Sequence, residues 1–284
     1  IGDRLQELMN AASPTFSYEG AGFGGGLGRT RAQYSAFAVV PDNGSIPALQ
    51  AIMRENRRAK EFGFSESELK RTKNAVLTSL EKQLNEKVKT QSRGLASSFV
   101  AHYLTQSPVP GIENKFKIYQ QLLPGITLAE VNKAFQNFIR EDNLVITFTG
   151  TEKPGNEAPS KEDLLNAIED VAKEEITAYE DDAVQGPLLA ETPKAGSVAS
   201  TETIEEIGVT KLMLSNGIVV YLKPTTFQND QIVMRAYSPG GSSLYSDADH
   251  MTVELSGDIV SNAGLGNFDN SQLTKYMADK VAGV

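Results

Sequence analysis

The stretch that decides the fold is Phe64-Ser65-Glu66-Ser67-Glu68-Leu69-Lys70-Arg71, because it marks the start of a long helix. Ser65 and Glu68 have the spacing of a capping box, in which each side chain binds the backbone N–H of the other residue. Apolar residues then recur at intervals of seven and four as far as Val88. This spacing predicts an amphipathic helix with one buried face.

The residues on either side of this helix predict an α+β domain, with helices over one face of a mostly antiparallel sheet. The opening residues 1–9 read as a helix in progress, so we expect the chain to start inside a domain. The other predicted elements are a strand over 31–40, a helix from 46 or 47 to 60 capped by Ser45, helices over 93–106 and 116–123, a helix capped by Thr127 and Glu130, and a buried strand over 144–149.

Residues 156–210 predict an acidic connector. They hold 14 Asp and Glu against 3 Lys, a local balance of −11, while the whole chain carries −9. One helix is predicted over 161–173, capped by Ser160. We expect a solvated connector; a dedicated acidic docking segment is the alternative.

Residues 211–284 predict the beginning of another unit. The pair Asn216-Gly217 between two apolar runs is a strong hairpin signal, and a further strand is predicted over 231–237. These elements are too few to bury a core of ordinary size. The chain therefore divides into a domain over 1–155, a connector over 156–210 and the start of a second similar domain over 211–284.

Composition excludes several functions. The chain has no cysteine and two histidines, His102 and His250, which lie in different segments. Catalytic zinc needs three protein ligands, so we predict no catalytic and no metal-binding residue in this chain. The negative charge argues against nucleic-acid binding, and no apolar run reaches the roughly 18 residues that cross a membrane. Absence of cysteine is compatible with both cytoplasm and periplasm.

Two stretches resemble the pitrilysin-like zinc metallopeptidases, the insulinase and mitochondrial processing peptidase family. One is 64–73, followed at the expected distance by 123–132, and the other is the hairpin over 214–224 with Gly240-Gly241-Ser242 downstream. The resemblance implies a clamshell of two halves, each of two α/β domains, with zinc in the first domain of one half. Residues 1–155 would then be a second domain, truncated at its N-terminus, and 211–284 the start of an inactive third domain.

The resemblance allows the third domain to be tested for a zinc motif. If Gly264 matches the glycine after the family's H-x-x-E-H motif, the two histidines fall at Leu255 and Ile259 and the glutamate at Asp258. Leucine and isoleucine cannot bind zinc. The nearby pair His250 and Glu254 lacks a second histidine, so we assign it no metal role.

Other residues have both functional and structural interpretations. The glycine run Gly22–Gly28 lacks the pattern of a phosphate loop; it is a flexible or bulged strand edge or, by resemblance to processing peptidases, a substrate-facing loop. Arg4 and Tyr18 loosely resemble the family's pair that holds the substrate carbonyl, but their spacing is too long and we leave them out. His102 is interpreted as a partly buried hydrogen-bonding residue. The glutamates Glu66, Glu68 and Glu130 are interpreted as helix caps rather than acid–base groups.

The sequence thus predicts the non-catalytic central portion of a zinc metalloendopeptidase. Zinc belongs to the full-length enzyme by resemblance, the partners are a peptide or unfolded substrate and the missing N- and C-terminal domains, and the substrate-binding residues are unknown. The alternative is a non-catalytic, processing-peptidase-like binding or scaffold subunit. The resemblance to this peptidase family implies a periplasmic location, with the cytoplasm as the alternative.

Overall fold

The computed structural model describes residues 1–11, 13–25, 28, 31–140, 142–151, 153–154, 156–183 and 186–283. It confirms the predicted class, a mixture of helices and antiparallel sheet. The elements in chain order are α1 (Gly2–Met9), β1 (Tyr18–Gly25), β2 (Ala32–Val39), α2 (Ser45–Phe62), α3 (Glu66–Asn85), α4 (Ser92–Thr105), α5 (Gly111–Leu122), α6 (Leu128–Phe138), α7 (Lys161–Lys173), β3 (Val198–Ile204), β4 (Val209–Leu214), β5 (Val219–Leu222), α8 (His250–Asn262) and α9 (Asn270–Met277).

The strands form two small antiparallel sheets. β1 pairs with β2 in an unbroken register from Tyr18 opposite Val39 to Gly25 opposite Ala32, and β3, β4 and β5 form the other sheet in that order. β1 is a strand that the sequence did not predict, because four of its eight residues are glycines, which disfavour strands. β3 was not predicted either and lies inside the predicted connector.

The best-buried apolar cluster lies where α1 and α2 meet the hairpin. Leu5 of α1 and Phe16, just before β1, are 0% and 1% exposed, and they pack with Ala48 and Ala51 of α2. The two alanines let the helix approach closely, and Leu8 and Met9 extend the same face of α1. The helix predicted over residues 1–9 is therefore confirmed, and it buries one apolar face.

Helix starts follow the predicted capping boxes closely. Ser65 with Glu68, Thr127 with Glu130 and Ser160 with Asp163 all form reciprocal boxes at the starts of α3, α6 and α7. Ser45 was wrongly predicted as a cap: it lies within α2, whose N-cap is Gly44 without a side-chain hydrogen bond.

The acidic segment begins as a docked element rather than a solvated connector. Glu174 accepts bonds of 2.6 and 2.7 Å from Arg54 of α2, and Arg57 donates to the carbonyl oxygens of Val171 and Glu174 at 2.6 and 2.8 Å. Ala167 and Val171 of α7 are buried. The expectation of a solvated connector is therefore wrong for residues 161–174, while the domain boundaries at 155 and 210 stay predictions.

Two predicted strands are wrong. Residues 144–149 and 231–237 are assigned to no strand, and the side chains of Val145 and Ile232 are 79% and 97% exposed. Both segments contain β-branched and aromatic residues, but a strand also needs a paired neighbour for its backbone groups. Within the described part of the chain neither segment has that neighbour.

Gly63 ends α2 in a conformation that only glycine adopts easily, so we expect Gly63→Ala to destabilise the chain by about 1–3 kcal/mol. Its φ is +78°, and an added Cβ would lie 2.5 Å from the amide nitrogen of Asn132. Urea denaturation measures the change in the free energy of unfolding. Gly24→Ala is the control, since a Cβ there meets nothing within 4 Å. Equal stabilities of the two variants would contradict the prediction.

Candidate functional site

The histidines do not converge in the fold. His102 lies in α4 with Nδ1 2.8 Å from the carbonyl oxygen of Ser107, and His250 is the first residue of α8. Both are exposed, so the hydrogen bond predicted for His102 is present but its partial burial is wrong. Within the residues that the structure describes, no group of three His, Cys, Asp or Glu could hold a metal ion. The side chains present do not fit a catalytic zinc.

The segment matched to the zinc motif is a helix without the required ligands. Leu255, Asp258 and Ile259 all lie in α8 and are exposed, as is Glu254. Gly264 follows the helix with φ +89°, and an added Cβ would lie 2.1 Å from the carbonyl oxygen of Phe268. The glycine therefore has a local structural cause, since it closes the turn between α8 and α9.

Arg4 is held in the interior and is not available to a substrate. Its side chain is 2% exposed, and its Nε and Nη2 donate to the two carboxylate oxygens of Glu68 at 2.8 and 2.9 Å. Nη2 also donates to the carbonyl oxygen of Gly63 at 3.1 Å. Tyr18, at the start of β1, is 59% exposed and tilts on Phe37 at 5.9 Å. The structure thus gives Arg4 a packing role.

Glu68 serves two functions at once. It caps α3, as predicted, and it neutralises Arg4, which lies 64 positions away in sequence. Burial alone would raise the pKa of Glu68, but hydrogen bonds from Arg4 and Ser65 bring that pKa below its usual value. Glu68 therefore remains ionised at neutral pH and is no candidate general acid.

The glycine run presents a backbone edge. Gly22, Gly24 and Gly25 continue β1 with no shift of register, so the predicted bulge is wrong for this part, while Gly26 and Leu27 lie outside the described residues. Phe23 stacks on Phe138 of α6 at 4.0 Å. Among the described strands β1 pairs with β2 alone, so its other side offers backbone groups to an added extended chain.

A cavity of about 590 Å³ lies between α3 and α5. Val76 and Leu80 form part of its apolar wall, and Arg71, Gln83 and Lys115 add polar groups. Apolar walls with a few polar groups can accept a segment of polypeptide. Nothing in this lining provides a nucleophile paired with a base.

Tyr34 of β2 has a half-buried side chain. Its hydroxyl donates to Asn56 Oδ1 of α2 at 2.6 Å, and burial raises the pKa of Tyr34 to about 12. The ring meets Phe135 edge-on at 5.8 Å. At neutral pH this tyrosine is a hydrogen-bonding element of the core and not an acid–base group.

Comparison with known proteins confirms the resemblance seen in the sequence. The homologues found are zinc proteases named PqqL or PQQL-like, of the pitrilysin-like family. The chain is 26% identical over 223 residues to "Zinc protease PQQL-like" of Arabidopsis thaliana, covering 78% of this chain and 23% of that protein. It is 23% identical over 239 residues to "Probable zinc protease PqqL" of Escherichia coli strain K12, covering 84% of this chain and 26% of that protein. No family profile matches.

Solved structures agree on the fold. The crystal structure of the periplasmic protease PqqL from Escherichia coli has a TM-score of 0.53 and 22% identity, covering 98% of this chain and 31% of its own. A crystal structure of the first half of that protease has a TM-score of 0.52 and 22% identity, and it covers 63% of this chain and 39% of its own. The chain therefore spans about a quarter of the length of the curated relatives it matches. In the described part of the chain no helix is long and apolar enough to cross a membrane.

Proposed function

We propose that this chain is the non-catalytic central portion of a zinc metalloendopeptidase and supplies part of the wall of a clamshell substrate chamber. Two observations together support the proposal, namely the alignment with zinc proteases and the lack of a metal-binding group among the described residues. The chain aligns over 78% and 84% of its length with zinc proteases, yet its described residues contain no group able to hold a metal. Zinc would be held by residues elsewhere in the longer protein.

Coverage by the two structures of the Escherichia coli protease supports a position across the junction of the halves. The whole protease covers 98% of this chain, while its first half covers 63%. We therefore assign residues 1–155 to a second domain, 156–210 to the connection between halves and 211–284 to the beginning of a third domain.

Unpartnered apolar helices support the proposal that other domains of the same protein cover this one. α4 exposes Leu95, Phe99 and Tyr103 at 52%, 62% and 82%, and α8 exposes Leu255 and Ile259 at 48% and 64%. Neither helix has a buried residue. Helices that are apolar on several sides are normally buried, so we assign these surfaces to contacts with the missing N- and C-terminal domains.

The substrate class and the location follow from the same proposal. We propose a peptide or unfolded polypeptide as the substrate, with the free edge of β1 as the described feature able to bind an extended chain. A relative described as a periplasmic protease favours the periplasm for this protein, with the cytoplasm as the alternative.

We expect the 284-residue chain alone to bind no stoichiometric zinc and to cleave no peptide. The purified chain is incubated with zinc, dialysed and measured by plasma mass spectrometry, and hydrolysis is followed with fluorogenic peptides. The control is a variant with both His102→Ala and His250→Ala, which should behave identically. One zinc per chain that disappears in the variant, accompanied by hydrolysis, would overturn the proposal.

The alternative is a non-catalytic binding or scaffold subunit, which would also need no metal ligands in this chain. The coding sequence upstream of Ile1 distinguishes the peptidase from the subunit. An H-x-x-E-H motif with a further glutamate beyond it supports the peptidase, whereas a full-length protein without the motif supports the subunit.

A further inference from the structure

Lys275 of α9 lies where four segments that are distant in sequence meet. Its Nζ is 2.9 Å from Glu7 Oε1 of α1 and 3.4 Å from Asp181 Oδ1, and it also pairs with Asp182. The same nitrogen lies 3.0 Å from the hydroxyl of Tyr179. The lysine side chain is 7% exposed, so nearly all of its solvation has been replaced by these groups.

The segment 179–182 contributes groups that contact both the first domain and α9. One oxygen of Asp181 lies near Lys275, and the other accepts a 2.7 Å bond from Arg71 of α3. Tyr179 donates to Glu7 Oε1 at 2.6 Å, and the guanidinium of Arg4 lies 4.2 Å from the centre of the tyrosine ring. Residues 179–182 thus contact α1, α3 and α9.

The charges in the cluster are mutually dependent. Two cations, Lys275 and Arg71, face three carboxylates, Glu7, Asp181 and Asp182. Burial alone would raise the pKa of Asp181, but hydrogen bonds from Arg71 and Ser67 hold the pKa at about 2. Burial alone would lower the pKa of Lys275, but Asp182, Tyr179 and Glu7 raise it above its usual value. Removing Lys275 leaves the partly buried Glu7 without its cation, while Asp181 keeps the bond from Arg71.

α9 depends on this cluster for its position. The helix has eight residues, and isolated helices shorter than about 12–15 residues are marginal in water. Its apolar anchor is local, since Phe268, 4% exposed, meets Tyr276 edge-on at 5.0 Å within the same segment. Several polar links then join this segment to α3 and to residues 179–182. They include Lys275 itself, Gln272 to the carbonyl oxygen of Asp182 at 3.5 Å, and Thr78 of α3 to the carbonyl oxygen of Asp279 at 3.2 Å.

We propose that Lys275, with residues 179–182 and Glu7, forms an ionic clamp that holds the C-terminal segment against α1 and α3, and that breaking the clamp releases this segment as a unit. The proposal concerns contacts inside this chain and does not depend on the peptidase assignment.

Hydrogen exchange of the whole chain tests the clamp. In Lys275→Met, which keeps the length of the stem and removes the charge, we expect the amides of α9 to exchange about ten-fold faster, since the clamp ties this short helix to α1 and to residues 179–182. Glu7→Gln should produce the same acceleration in α9 although Glu7 lies in α1. Exchange in α2 should be unchanged in both variants, which shows that the first domain is still folded.

Lys173→Met is the matched control. Lys173 lies in α7, is paired with Glu169 and is 73% exposed, so its loss should leave exchange in α9 within a factor of about two. The proposal is overturned if α9 exchanges at the original rate in Lys275→Met. It is equally overturned if Glu7→Gln leaves α9 protected, because the lysine would then act only within its own helix.

Discussion

Phe16→Ala is expected to lower the free energy of unfolding by about 3–5 kcal/mol, the largest effect of any substitution considered for this chain. Phe16 is 1% exposed and touches the cluster formed by Leu5, Ala48 and Ala51. The two alanines cannot expand to fill the space that the ring leaves. The substitution therefore creates a cavity between α1 and α2, and urea denaturation at neutral pH measures its cost.

The matched control for Phe16 is Phe227→Ala. Phe227 is 81% exposed, so the same chemical change should alter the free energy of unfolding by less than about 0.5 kcal/mol. If both variants lose similar stability, the cluster around Phe16 is not the core of the first domain.

Arg4→Met should cost about 3 kcal/mol in unfolding free energy, because it leaves the carboxylate of Glu68 buried without its cation. The Glu68 side chain is 13% exposed, so little water can replace the lost partner. Bonds from Ser65 continue to satisfy one of its oxygens, which places the expected loss at the low end for a buried pair. Urea denaturation again provides the measurement.

A double substitution separates the ion pair from the helix cap. Glu68→Gln removes the charge but keeps an oxygen that can complete the capping box at Ser65. Combined with Arg4→Met it should cost at least about 1 kcal/mol less than the sum of the two single losses. Simple additivity would show that Arg4 and Glu68 do not stabilise each other.

The control for the buried pair is Lys173→Met, which removes an exposed ion pair with Glu169. This substitution should have no measurable effect on the free energy of unfolding.

Local features of this fold could be predicted from the sequence, because their causes lie within a few residues. The boxes at Ser65, Thr127 and Ser160 connect residues three apart, and the hairpin turn at Asn216-Gly217 needs only its own two residues. The failed strands at 144–149 and 231–237 show the limit of this approach. A β-branched run indicates a preference for extended backbone, but it does not supply the neighbouring strand.

The contacts that join distant segments could not be predicted. Arg4 and Glu68 are 64 positions apart, and Arg54 and Glu174 are 120 apart, so no periodicity links either pair. The acidic bias of 156–210 was visible, but without the basic face of α2 it was equally consistent with a solvated connector. For the candidate site, the composition limits the histidines to two and the cysteines to none, whereas the contacts of Lys275 with Glu7 and Asp181 required the fold.

Shortened versions of this protein are best divided after residue 183 rather than at 155. Stopping at 155 would strip Arg54 and Arg57 of their acceptors on Glu174 and Val171, and would uncover the side of α2 on which α7 lies. A piece that keeps residues 156–183 retains those partners, together with the bond from Arg71 to Asp181. For crystallisation or antibody production, a shortened protein should therefore include residues 156–183 together with the domain that precedes them.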